Sequence, residues 1–575
     1  MGNIIIYSKT KSRGIANTTT SEGKLIPYQI GNGKYMKTGL ARNPKGYMVI
    51  KAFQVPSDVK TLRQHEKYMD YVNSKLNPIE QPNLAPFTRF FFDEKTQTEY
   101  LVRPYFHSCL DARLNSRPFP SDIEKRWIVY QGLQALQQLH SQNLSHGDIK
   151  PENFVVTSTG WVYLTYPHIF VGCLSLEDNI YTYFSYFFTS QKRHACYLAP
   201  ERIVQYPMSL LFISVMPSGE ITNANPPCYT DGTLPPDQPC DIHWSSDIFS
   251  MGCVIAEIFT HGQELFDLSS LLRYRSEDVD LSPILNRISD EKIRELVEAM
   301  INKNDKERSS AEQYLNRFTN DDSVFPMIFR TMVYPLFRES MRAVNCGSDA
   351  RIALTPTPMG DHVLEVEEEV DERVPALPFG KESILLVLPL VTASLRSVKY
   401  AVSKIYAMRF LTDLSRYLDD EVVLHRILPH LVNVLMEACR PVSPTSEYAS
   451  AIRCITSVLN CIHTLPRSDF NLVSTYILPA ISAAQEKDDY QVKLTVAECL
   501  SDIALSGRRL LNVEQKEKIY EAQTQSQEAD KTKISVASSY SEDIEQLRDS
   551  VRMCLLRALS DSDEESPAVS VQNAG

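Results

Sequence analysis

The sequence predicts two folded parts in tandem, an α+β bilobal domain followed by an all-α helical solenoid of the HEAT type. Three observations carry this reading. Residues 26–318 mix strand-like runs with amphipathic helical segments, whereas residues 382–560 read as helix almost throughout. Between them, Thr355 to Lys381 holds four Pro and the acidic run Glu365-Val366-Glu367-Glu368-Glu369, the composition of a linker or a poorly ordered loop. The tripeptides Val387-Leu388-Pro389, Ile427-Leu428-Pro429 and Ile477-Leu478-Pro479 recur at intervals of 40 and 50 residues, the period of stacked helix pairs.

Composition bounds the rest. A chain of 575 residues with 43% hydrophobic and 23% charged residues has enough apolar material for several cores. Lys and Arg total 59 against 71 Asp and Glu, so the net charge is −12, which argues against nucleic-acid binding. Twelve Cys are scattered without a CxxC pair; the closest two, Cys454 and Cys461, are seven apart. That excludes the spacing of a zinc ribbon and points to a reducing compartment. The longest apolar run, Ile384 to Val391, is too short to span a bilayer and contains Pro389. No charged segment followed by an apolar one reads as a secretory signal. Met1-Gly2-Asn3 exposes Gly2 once Met1 is removed, as N-myristoylation requires, although Ile6 stands where Ser or Thr is usual. An ordinary frayed terminus is the alternative.

The chemistry concentrates in Ser145-His146-Gly147-Asp148-Ile149-Lys150-Pro151-Glu152-Asn153. It follows an amphipathic helix, Ile123 to His140, whose stripe is Trp127, Tyr130, Leu133 and Leu136. This stretch resembles the catalytic loop of protein kinases. The resemblance implies a protein-kinase-like domain in which Asp148 accepts the substrate hydroxyl's hydrogen bond. Lys150 then steadies the γ-phosphate of ATP, and Asn153 holds Mg²⁺. Other pieces lie in the matching order. Ile30-Gly31-Asn32-Gly33 resembles the loop over the nucleotide phosphates, where a missing Cβ lets the backbone approach. Val49-Ile50-Lys51 resembles the strand that offers a Lys to the phosphates, and Glu66 is its candidate ion-pair partner. Leu101 to Tyr105 stands where the hinge to the adenine belongs. Ala199-Pro200-Glu201 matches the end of an activation segment, Asp247 the brace of the catalytic loop, and Arg308 the partner of Glu201.

One part is missing. After the strand-like Trp161 to Thr165, thirteen residues past Asn153, a kinase carries the Asp that is its main Mg²⁺ ligand; here Tyr166 stands there. A phenol stays protonated at neutral pH. The position before Asp148 is Gly147 rather than the Arg that receives an activation-segment phosphate, which argues against switching by phosphate. The residues therefore describe a kinase fold with impaired or absent phosphotransfer, with an active serine/threonine kinase as the alternative.

Met1-Gly2-Asn3, Asp122 to Trp127, His146 to Lys150, Cys196 to Arg202 and Leu265 to Ser269 together resemble the regulatory-subunit family of class III phosphatidylinositol 3-kinase. The resemblance covers about residues 26–340 and 382–560. It implies an N-myristoylated kinase-like domain, HEAT repeats and a C-terminal WD-repeat propeller. It further implies scaffolding of the lipid kinase catalytic subunit with a Beclin-type subunit on endosomal and autophagic membranes. Members of the family usually keep Asp at the position of Tyr166, and residues 561–575 carry no propeller pattern. The expected division is 1–25 as an acylation segment and 26–318 as the kinase-like domain, with an insertion at about 203–244. Residues 319–381 follow as helical extension and linker, 382–560 as solenoid and 561–575 as a disordered tail.

Overall fold

The computed structural model describes residues 28–32, 36–43, 46–54, 72–77, 79–85, 89–93, 98–106, 108–165, 174–176, 179–188, 194–204, 243–277, 279–320, 323–345, 380–398, 400–436, 445–464, 471–486, 489–524 and 529–559. The chain divides into two compact units, residues 1–349 and 350–575.

In the first unit, five strands form an antiparallel sheet in the order β1-β2-β3-β5-β4. They are β1 Tyr28–Asn32, β2 Met36–Asn43, β3 Gly46–Gln54, β4 Arg89–Asp93 and β5 Thr98–Pro104. The centre of β3 is β-branched and buried at Val49 and Ile50, and its register sets Lys51 opposite Leu101 of β5. Because β5 runs through Pro104, only Tyr105 of the expected hinge stretch lies beyond the strand; four of its five residues belong to the sheet.

The rest of this unit is mostly helical, with a small antiparallel sheet of β6 Ser108–Cys109, β7 Phe154–Val156 and β8 Val162–Leu164. Two short parallel strands, β9 Leu174–Ser175 and β10 Ile203–Val204, pair with each other. Helix α1, Asp122–His140, starts at Ser121, whose backbone N–H donates to the Glu124 carboxylate at 2.8 Å. Such a start is worth about 0.5–2 kcal/mol. The sequence pattern assigns α1 one buried stripe, but the structure buries it on nearly every side, Ile128, Val129 and Ala135 included. Helices Trp244–Phe259 and Ala311–Phe318 and strand β8 all pack on it. Four rings, Phe329, Tyr334 and Phe337 around Trp127 and Phe325 against Tyr130, close its remaining flank.

The second unit is a helical solenoid. Gly380–Ser397 and Ala401–Ser415 form the first helix pair, and Leu428–Met436 pairs with Thr445–Cys461. Leu478–Gln485, Tyr490–Thr524 and Ala529–Leu559 continue it. One continuous apolar core runs from Leu388 to Cys554 and contains the faces expected from periodicity, such as Leu424, Ile427, Leu428, Leu431 and Leu435.

The recurring proline has a visible consequence. A proline lacks the N–H that the carbonyl four residues earlier needs, and its ring crowds that carbonyl. Those carbonyls belong to His425 before Pro429 and Thr475 before Pro479. Each sits at the centre of a π turn, Val423–Ile427 and Val473–Ile477, where Leu428 N–H reaches Val423 O and Leu478 N–H reaches Val473 O. The widened turn relieves the clash without ending the helix. The same solution appears in the first unit, where Phe329–Val333 forms a π turn ahead of Pro335. Pro389 differs, lying within the continuous helix Gly380–Ser397. Among the described residues no helix is long and apolar enough to cross a membrane.

Candidate active site

The catalytic loop hangs between α1 and β7, and a single buried carboxylate shapes it. Asp247 comes from the first turn of the helix Trp244–Phe259 and is 1% exposed. Its Oδ2 accepts the His146 backbone N–H at 2.7 Å, and its Oδ1 accepts the Gly147 N–H at 2.8 Å. His140 Nε2, at the end of α1, lies 3.1 Å from the same Oδ2. Burial opposes the charge on Asp247, but the hydrogen bond and charge of His140 and the other donors outweigh it and hold the carboxyl below its usual range. Gly147 has φ 79°, in the left-handed region that glycine enters without cost.

His146 is fully buried and bridges two backbone segments. Its Nε2 lies 3.0 Å from the Thr165 carbonyl, while the Asp148 N–H donates to its Nδ1 at 3.2 Å. These partners require the neutral imidazole with the proton on Nε2. Burial pushes its pKa down in agreement.

The structure brings Asp148, Lys150 and Asn153 together. Asp148 Oδ2 accepts from Lys150 Nζ at 2.8 Å and from Asn153 Nδ2 at 2.9 Å. Asn153 Nδ2 also donates to the Asp148 carbonyl at 2.6 Å. This leaves the Asn153 amide oxygen directed away from the carboxylate, the atom suited to a Mg²⁺ ion. Lys51 is 7% exposed on β3. Burial, then the cations of Arg103 and Lys150, bring its pKa down to about 7, with the charge of Asp148 acting the other way. A buried ammonium at this position can receive phosphate oxygens. Ile30 and Gly31 lie in β1, with Gly31 opposite Thr38 of β2. Gly2, Gly33, Glu66 and Tyr166 lie outside the described residues, as do most of the expected insertion and linker. Among the described residues no group of three or more His, Cys, Asp or Glu could hold a metal ion.

The expected ion pair is present. Arg308 Nη1 and Nη2 reach Glu201 Oε1 and Oε2 at 2.7 and 3.0 Å. Burial pushes the Glu201 carboxyl upward, yet the hydrogen bonds and charge of Arg308 prevail and lower its pKa. Sequence reasoning missed Arg202, which follows Ala199-Pro200-Glu201 and donates from Nη1 to the Gly147 carbonyl at 2.5 Å. Its adjacency to that motif was the available signal. With Asp148, Lys150, Phe184, Phe188 and Leu198 it lines a small pocket beside the catalytic loop.

This fold and loop define the class, a protein-kinase domain joined to a helical solenoid. The family description "Protein kinase domain" matches residues 26–209, and "PIK3R4-like, middle domain" matches residues 387–573. Serine/threonine-protein kinase VPS15 of Arabidopsis thaliana is 27% identical over 568 residues, covering 83% of this chain and 35% of that protein. Serine/threonine-protein kinase VPS15 of Saccharomyces cerevisiae is 25% identical over 545 residues, with the same shares of 83% and 35%. That of Schizosaccharomyces pombe is 24% identical over 578 residues, covering 84% of this chain and 31% of that protein. Over most of its length the chain is similar to the VPS15 serine/threonine-protein kinases. It spans about a third of the length of these curated relatives.

Proposed function

We propose that this chain is the kinase-like and solenoid part of a regulatory, scaffolding subunit of a class III phosphatidylinositol 3-kinase complex. In this reading its nucleotide pocket serves structure or signalling more than turnover. The observation that carries the proposal is a contrast within one site. The loop residues Asp148, Lys150 and Asn153 are assembled, while in the sequence Tyr166 stands in register with the metal-binding carboxylate of kinases. Losing one preorganised electrostatic element costs roughly 10²–10³ in rate. The catalytic and Beclin-type subunits are the proposed partners of the solenoid, whose stacked helices offer a long surface. Acylation of Gly2 is proposed to hold the assembly on endosomal or autophagic membranes, with the marginal, reversible affinity of a single chain.

ATP and Mg²⁺ are the general requirements of a protein kinase domain. In this chain Lys51 would meet the phosphates, Asn153 the metal, and Asp148 the attacking hydroxyl. The assembled loop also supports the second reading, an active serine/threonine kinase. The test measures nucleotide binding and phosphotransfer by the 1–575 chain, its Asp148→Ala and Lys51→Ala variants, and Tyr166→Asp. Binding of ATP without turnover, with turnover gained in Tyr166→Asp, is the expected result. Wild-type turnover abolished by Asp148→Ala would overturn the regulatory reading in favour of the active kinase. Co-purification with the class III catalytic subunit tests the assembly, and its absence would refute the scaffold.

A further inference from the structure

In kinases switched by phosphorylation, an activation-segment phosphate is gripped by arginine side chains. Gly147 has no side chain to offer beside Asp148, yet the structure joins the same two segments. Both backbone polar groups of Gly147 are engaged, the N–H by Asp247 Oδ1 at 2.8 Å and the carbonyl by Arg202 Nη1 at 2.5 Å. Arg202 is 3% exposed, and its guanidinium carbon lies 5.5 Å from the centroid of the Phe188 ring. Phe188 follows the helix Ile180–Phe187 and stacks on Phe184 of that helix at 6.2 Å, both rings being buried. The Phe188 carbonyl accepts from Lys150 Nζ at 3.3 Å. A single cation near the C-terminal end of the activation segment thus contacts both the catalytic loop and the residue that closes the segment's helix.

We infer that Arg202 is the positioning residue that docks the activation segment on the catalytic loop without any phosphate. Its guanidinium, being buried, is little screened by salt. The planar group donates at its edge and stacks through its face, so it links the Gly147 carbonyl and the Phe188 ring at once. The link that other kinases complete with a phosphate is here made by an arginine already in the chain. Docking is therefore constitutive, and it keeps Phe184 and Phe188 against Lys150. This holds whether or not the chain transfers phosphate.

Hydrogen–deuterium exchange on the 1–575 chain tests this, with tryptophan-monitored unfolding on the same samples. The chains compared are wild type before and after phosphatase treatment, Arg202→Met, Arg202→Lys and Phe188→Leu. Arg202→Met should accelerate exchange in residues 179–188 by about tenfold or more, with the helix Trp244–Phe259 unchanged. Arg202→Lys should be intermediate, since an ammonium reaches the carbonyl but offers no flat face. Phe188→Leu should give a few-fold rise, and phosphatase should leave the wild type unchanged. Unaltered exchange in Arg202→Met would overturn the inference. So would equal acceleration in Trp244–Phe259, or release of the wild-type segment by phosphatase. If Arg202→Met does not fold, the graded Arg202→Lys and Phe188→Leu responses decide, and no local rise in either refutes the proposal.

Discussion

Replacing Asp247 by Asn removes a charge while keeping volume and shape, so no cavity term enters. The carboxylate now accepts the N–H groups of His146 and Gly147 at 2.7 and 2.8 Å, with His140 Nε2 at 3.1 Å. An amide has one oxygen. If its NH₂ turns toward Gly147, one donor faces another and one buried N–H is orphaned. If it turns toward His146, two contacts are lost. The milder choice sacrifices one hydrogen bond to a charged group and weakens the others, about 2–4 kcal/mol in all. The assay is equilibrium urea unfolding followed by fluorescence. All three Trp of the chain, Trp127, Trp161 and Trp244, lie within residues 1–349, so emission reports that unit alone, while circular dichroism reports both. The lowered pKa of Asp247 adds a pH signature. A carboxyl whose folded pKa lies below its unfolded value stabilises above about pH 4 and loses that contribution as pH falls through the folded value. The wild-type advantage over Asp247→Asn should be constant from about pH 5 to 8 and shrink in acid. A loss below about 1 kcal/mol at neutral pH would refute the view that this carboxylate organises the loop.

Other substitutions probe the same unit. Glu201→Gln breaks the paired contact with Arg308, whose side chain is fully buried, but the carbonyls of Ser245 and Asn302 still accept from it; a loss of about 2–4 kcal/mol is expected by the same fluorescence assay. In Gly252→Ala the new methyl would stand 2.9 Å from Met300 Cβ and 2.8 Å from Ile301 Cγ2, costing about 1–3 kcal/mol in the same measurement. Gly147→Ala forces a side chain into φ 79° and should cost about 1 kcal/mol, less than Asp247→Asn. Nucleotide affinity should depend on pH through Lys51, whose pKa lies at about 7. Phosphate binding favours the protonated form, so affinity should fall above pH 7, by up to about tenfold per unit, in calorimetric titrations with ATP. Lys51→Met should bind more weakly and without that slope.

The catalytic loop was legible because its chemistry is local. Asp148, Lys150 and Asn153 are five residues apart end to end, and a short turn suffices to bring them together. The solenoid was legible for a similar reason, since periodic apolar residues and a recurring proline are local signals. What periodicity could not show is that α1 is buried all round. That follows from elements more than a hundred residues away, the Phe329, Tyr334 and Phe337 rings and the helix Trp244–Phe259. The hinge stretch also read differently, because strand pairing with β3 carries β5 on through Pro104.

By itself the sequence determined the two-part architecture, the residues of the catalytic loop and the substitution of Tyr166 for a carboxylate, all matters of composition, order and short spacing. Only the tertiary structure decided how that loop is held. Asp247 lies 100 residues beyond Gly147 and Arg202 lies 55 beyond it, yet they take its N–H and its carbonyl. Backbone groups carry no mark in the sequence of which distant side chain will satisfy them. Burial makes leaving them unsatisfied costly, and the fold alone determines which partner is near enough to do so.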